Sequence, residues 1–100
     1  MGIDVELRTE SGEVLDSVGD AQNVLRNAGG LLSGSRLLCY LAPWGDAIFN
    51  QTQASDLSHD IIEVCSRNER SAIAGHLQRI GPLVEKLSKE THLYLWFVGD

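Results

Sequence analysis

The segment His92–Val98 (HLYLWFV) constrains the fold more than any other stretch, because every position after the histidine is apolar or aromatic. Successive side chains of a strand point to opposite faces, so Leu93, Leu95 and Phe97 share one face and Tyr94, Trp96 and Val98 the other. A strand with two apolar faces belongs inside a sheet, with neighbours on both sides. The rest of the chain has to supply that sheet.

Ile3, Val5 and Leu7 alternate with Asp4, Glu6 and Arg8, the period of a strand with one face on the core and one in water. Glu10-Ser11-Gly12 reads as a three-residue hairpin loop with Gly12 in the left-handed conformation, and Val14–Val18 returns as the second strand. Asp20 fits the N-cap of a short helix over Ala21–Ala28, with Val24 and Leu25 inward and Gly29-Gly30 ending it. After the linker LLSGS, Arg36–Ala42 (RLLCYLA) is apolar on both faces and reads as an interior strand. Ala42-Pro43-Trp44-Gly45 suits a type I turn, so PWGD reads as a hairpin tip with Ala47–Gln51 running back as a short strand.

Ser55 and Asp56 are placed to cap a helix whose Leu57, Ile61, Val64 and Cys65 form an apolar stripe, with Asp56, His59, Asp60 and Glu63 on the solvated side. Ser66-Arg67-Asn68-Glu69 matches a capping box, which starts a second helix there. Ile73, Leu77, Ile80, Val84 and Leu87 step by four and three, so that helix should persist through Gly81-Pro82 with a kink. The expected architecture is one α+β domain over residues 1–100, in the order ββα-ββ-αα-β. Its sheet is mainly antiparallel with about five strands, and the two later helices cover one face.

Gly45-Asp46-x-x-Phe49-Asn50, together with the terminal Leu95-x-Phe97-x-Gly99-Asp100, resembles small bacterial proteins of no established function. The resemblance covers about a third of the chain. It implies that the two stretches belong to one structural theme and brings no activity with it.

Charge and composition narrow the partners. Fourteen acidic residues against eight Lys and Arg leave a formal net charge of −6, which repels phosphate backbones and anionic headgroups, so neither nucleic acid nor a membrane is an expected partner. No apolar run approaches the ~20 residues of a membrane-spanning helix. The start MGIDVELR lacks a secretory pattern, and Glu6 breaks the myristoylation motif. With two cysteines and no C-x-x-C, the reading is a cytoplasmic protein whose Cys39 and Cys65 are reduced, buried and structural.

The chemical constellations are thin. His59 and Glu63 lie one helical turn apart beside Asp56 and Asp60, yet a zinc site needs further ligands that the pattern does not supply, so no metal is expected. The glycine-rich GGLLSGS lacks the Lys-Ser/Thr of a phosphate loop, and no cofactor is implied. Trp44, Asp46, Asn50, Gln51 and Gln53 exceed what a turn requires and form a candidate binding rim.

The leading expectation is therefore a small bacterial binding protein that occupies a protein partner and has no chemistry of its own. Immunity or antitoxin-like inhibitors are an analogy of size and charge. The alternative is a small enzyme or ligand-binding domain using the Trp44 to Gln53 rim with His92 or Asp100. A second candidate surface is the sheet face away from the later helices, where Tyr40, Tyr94 and Trp96 should converge. Either the first helix folds over it, or it is open and a homodimer through it is the simplest outcome.

Overall fold

The computed structural model describes residues 2–99. It contains four strands, β1 (Asp4–Thr9), β2 (Val14–Val18), β3 (Asp46–Phe49) and β4 (Leu93–Val98), and three α-helices, α1 (Gly29–Leu32), α2 (Ala54–Arg67) and α3 (Ala72–Lys89). The strands form one antiparallel sheet in the order β2-β1-β4-β3. Thus β4 is interior, as its two apolar faces require. The opening hairpin turns where expected, with Gly12 at φ +92° and its N–H donating to Thr9 O at 3.0 Å.

One sheet face is packed. Val5, Leu7, Leu93, Leu95, Phe97 and Phe49 join Leu57, Val64, Ile73, Leu77, Ile80, Val84 and Leu87 of α2 and α3 in a single buried cluster. Phe49 and Phe97 meet edge to face, with ring centroids 5.6 Å apart. Helix α3 runs unbroken through Gly81-Pro82. Exposed Pro82 lacks only an N–H, while the apolar stripe on the opposite side keeps its phase.

The region between the sheet's two halves departs from the sequence expectation. Arg36–Ala42 is not a strand but a loop with a 3₁₀ turn at Leu38–Tyr40, so the sheet has four strands. The cause is Asp60 on α2. Its carboxylate accepts the backbone N–H groups of Arg36 (2.8 Å), Leu37 (2.8 Å) and Leu38 (3.1 Å), donors that a strand would have given to a neighbour. Asp60 is consequently buried, not solvated, and Cys39 is exposed, because the turn points only Leu38 into the core.

Asp20 does the same for the preceding segment. It is buried and accepts from the backbone N–H groups of Ile3 (3.0 Å), Leu25 (3.2 Å) and Arg26 (3.0 Å). Those bonds, with Asn23 at φ +57°, wind residues 21–28 into turns in place of the expected helix. Gly29-Gly30 opens α1 where it was expected to close a helix. Leu25, Ala28 and Leu32 nevertheless reach the core.

Three helix boundaries also moved. The chain enters α2 through a 3₁₀ turn at Gln51–Gln53 capped by Asn50, so Ser55 and Asp56 lie inside the helix. Ser66 Oγ donates back to Glu63 O instead of capping forward, α2 continues to Arg67, and α3 starts only at Ala72. The Ala42–Gly45 turn does close, with Gly45 N–H to Ala42 O at 3.3 Å, but it joins a loop to β3 and makes no hairpin.

Candidate functional site

The outer face of the sheet follows from the strand register, since directly paired residues share a face. Ser17, Glu6, Trp96 and Ile48 lie in one cross-strand row, and Asp4, Val98 and Asp46 in another. Arg8 stands opposite both Tyr94 and Val14. Among the described residues no helix forms a lid here: Leu25, Ala28 and Leu32 turn into the core with Val24 packed against it, while Ile48 is 47% exposed and Trp96 and Tyr94 stay half-buried. A shallow hollow of about 440 Å³ is bounded by Thr9, Glu10, Gly12, Ile48, Tyr94 and Trp96.

Arg8 organises this face. Its guanidinium stacks over the Trp96 ring, 4.1 Å from the centroid, and Glu6 holds it from the side with a bond from Nε at 2.8 Å. A guanidinium held over an indole by a carboxylate is already positioned, so little side-chain freedom is left to lose when a partner arrives. Asp4, Glu10 and Asp46 rim the face in exposed positions. Tyr40 is not part of it. That residue sits on the 3₁₀ turn fastened to α2 and is 72% exposed.

The candidate rim after the Pro43 turn is largely committed to local structure. Asn50 Oδ1 accepts from Thr52 N–H at 3.1 Å, Gln53 Oε1 accepts from Asn50 N–H at 2.9 Å, and Gln51 Nε2 donates to Ser88 O at 3.1 Å. Trp44 is 74% exposed, with the Arg26 guanidinium 5.6 Å from its ring. Asp46 pairs with Val98 in register at one end of β4. His92 precedes the other end, about 17 Å away at ~3.3 Å per strand residue, and its Nδ1 lies 2.7 Å from Glu10 Oε1. His92 and Asp46 therefore do not meet, and Asp100 lies outside the described residues.

The acidic face of α2 holds a His59–Glu63 pair at 2.8 Å, and no group of three or more His, Cys, Asp or Glu able to hold a metal occurs among the described residues. Burial pushes the Cys65 thiol up, away from reactive thiolate, and its Sγ lies 3.6 Å from Ala74 O. No helix among the described residues is long and apolar enough to cross a membrane.

A second cavity was not legible in the sequence. It lies between residues 19–24 and α3, has a volume of about 170 Å³, and is lined by Gly19, Asp20, Ala21, Gln22, Val24, His76 and Arg79. His76 and Asp20 are both buried there, with Nε2 and Oδ1 3.9 Å apart. Burial, which disfavours the charged imidazole, holds His76 below its usual range, and Arg79 adds to this while Asp20 opposes it. Burial alone would raise the Asp20 carboxyl, but the three backbone N–H donors and His76 outweigh it and hold the group below the usual carboxylate range. The sequence signal available was Asp20 itself, whose capping role was visible while its histidine partner, 56 positions away, was not.

No protein-family model matches the chain, and comparisons with curated proteins and with solved structures return no match.

Proposed function

We propose that the protein is a binding module that engages a basic protein partner through the outer face of its sheet, without chemistry of its own. The observation that carries this reading is the apolar outer row of an interior strand, Tyr94 and Trp96, left uncovered beside exposed Ile48. Solvated faces of antiparallel sheets ordinarily carry polar residues. Trp, Tyr and Arg are the residues that dominate interface energetics, and all three occur here in one cluster.

Charge selects the kind of partner. Asp4, Glu10 and Asp46 surround the cluster, and the Arg8 charge is already matched by Glu6. A second copy docked on the same face would bring two acidic rims together, because a two-fold contact uses one surface twice. A partner with Lys or Arg around an apolar protrusion complements both features and gains association rate from the net charge of −6.

Capture from a native lysate on immobilised wild-type protein and on Trp96→Glu tests the reading. A basic protein held at a stoichiometric level by wild type, released by raised salt and absent from the Trp96→Glu resin, is the expected result. Equal retention by both resins, or a wild-type homodimer at twice 10.9 kDa in light scattering that Trp96→Glu dissociates, would contradict it.

A further inference from the structure

The two edges of the sheet differ. Gly99 N–H donates to Gly45 O at 3.1 Å, and along an antiparallel ladder the opposed pairs alternate between exchanging hydrogen bonds and not. The bonded pairs of β3 and β4 are therefore Gly45 with Gly99, Ala47 with Phe97 and Phe49 with Leu95. Asp46 and Ile48 consequently turn their backbone N–H and C=O away from β4. Among the described residues none of these four groups has a hydrogen-bond partner.

The opposite edge is closed. On β2, Asp16 Oδ1 accepts the Ser17 N–H at 2.9 Å, Lys86 of α3 holds Asp16 Oδ2 at 3.1 Å, and the register with β1 shifts between Leu7 and Arg8. Irregular register and charge at an edge are means by which proteins keep strangers from pairing. β3 instead runs in unbroken register, with its outward N–H groups meeting no side chain. The loop before it bends elsewhere: the carbonyl oxygens of Ala42 and Pro43 lie 2.6 and 2.7 Å from where a Cβ of Gly99 would stand, on the core side that Gly99 shares with Phe97. Asp46 is exposed and Ile48 is 47% exposed.

We infer that an extended segment of the protein partner adds to β3 as a fifth, antiparallel strand, with an apolar residue opposite Ile48 and Lys or Arg opposite Asp46. The inference rests on the binding reading above and names the partner's recognition element. In antiparallel pairing two partner residues exchange both bonds with Ile48 and Asp46, which uses all four free groups. Their side chains then fall on the outer face. The first extends the row of Glu6, Trp96 and Ile48, and the second the row of Asp4, Val98 and Asp46, where a cation meets the carboxylate. Because the strands run in opposite directions, the segment reads apolar-x-Lys/Arg. A second copy does not supply this: β3 paired with itself through the same groups sets Ile48 against Asp46 and brings up another net charge of −6.

The probe is the peptide TTVTKTT, acetylated and amidated, followed by nuclear magnetic resonance of isotope-labelled protein. In the free protein the Asp46 and Ile48 amides should exchange with solvent at least about tenfold faster than those of Ala47 and Phe49, which are bonded to β4. The peptide should give saturable shifts and slowed exchange at Asp46 and Ile48, with Ser17 unmoved. N-methylation of its Val or Lys removes a ladder donor and should weaken binding at least about fivefold, whereas N-methylation of the Thr between them, whose N–H points away, should be tolerated. Glu in place of its Lys should weaken binding about threefold or more. Slow exchange at Asp46 and Ile48 in the free protein would mean that the edge is already covered and would overturn the inference. So would resonances unmoved at about 10 mM peptide, a dissociation constant too weak for a specific strand, or equal binding of the Val-methylated and parent peptides. Protection of Ile48 that grows with protein concentration and needs no peptide would make a second copy the occupant and overturn it too. The readout separates this inference from the face reading: a peptide that fails while Trp96→Glu abolishes capture overturns the strand alone, and one that binds while Trp96→Glu leaves capture unchanged supports the strand and contradicts the face.

Discussion

The carboxylate of Asp60 on α2 accepts the backbone N–H of Leu37 at 2.8 Å, across 23 positions of sequence. With the bonds from Arg36 and Leu38, this one side chain replaces a strand's worth of hydrogen bonding for the loop before β3. Asp60→Ala would leave three backbone donors without their acceptor and should cost on the order of 3 kcal/mol. Asp56, one turn earlier, makes an exposed ion pair with Arg36 at 2.8 Å, and its replacement by Ala should cost less than about 1 kcal/mol. Urea unfolding of both variants checks the contrast; equal losses would show that Asp60 is not the anchor.

Gly99 and Gly45 meet where β4 ends, with Gly99 N–H donating to Gly45 O at 3.1 Å. A Cβ on Gly99 would come within 2.6 to 2.7 Å of the carbonyl oxygens of Ala42, Gly45 and Pro43, whereas one on Gly45 would approach only Ala42 Cβ, at 3.9 Å. Gly99→Ala should therefore cost about 1–3 kcal/mol and Gly45→Ala nearly nothing. Thermal unfolding in which Gly45→Ala is the more damaging would refute this packing. The Gly45–Phe49 and Leu95–Gly99 stretches thus lie against each other.

Acid should destabilise the fold in two stages. His76 binds its proton less readily folded than unfolded, so the unfolded chain takes up more protons below the ordinary histidine value of 6.5, and stability falls as pH drops through that region. Asp20 is depressed as well, so its contribution persists above the unfolded value of 3.8 and is lost as pH falls from there through the folded value. His76→Gln should flatten the first stage and keep the second. Denaturant midpoints measured from neutral pH to pH 3 follow both, and an unchanged first stage in His76→Gln would assign it elsewhere.

The elements with a strong hydrophobic period were legible in the sequence. β1 showed strict alternation, β4 two apolar faces, and α3 an unbroken stripe past Pro82. Residues 20–42 were not, because their conformation is dictated by carboxylates from Asp20 and Asp60 whose targets lie far along the chain or in a loop with no period of its own. Apolar content alone made Arg36–Ala42 look like a strand, and only Leu38 of its turn reached the core. For the candidate face the sequence supplied Tyr94 and Trp96. Arg8 was placed on the solvated face by the alternation of β1, and the structure adds its seat over Trp96; Ile48 joined only through cross-strand register, and Tyr40 dropped out once its strand became a turn.

The two tryptophans provide the most direct measurement. Trp96 is half-buried beneath Arg8 on the outer sheet face, and Trp44 is exposed beside Arg26 on the loop before β3. Each gives a separate indole N–H resonance in isotope-labelled protein, so both surfaces can be read together when unlabelled native lysate is added. Selective shift or broadening of the Trp96 resonance, reversed by raised salt and with Trp44 unmoved, is what binding through the sheet face requires. A response confined to Trp44, or none at either indole while the protein is demonstrably held in a larger complex, would contradict it.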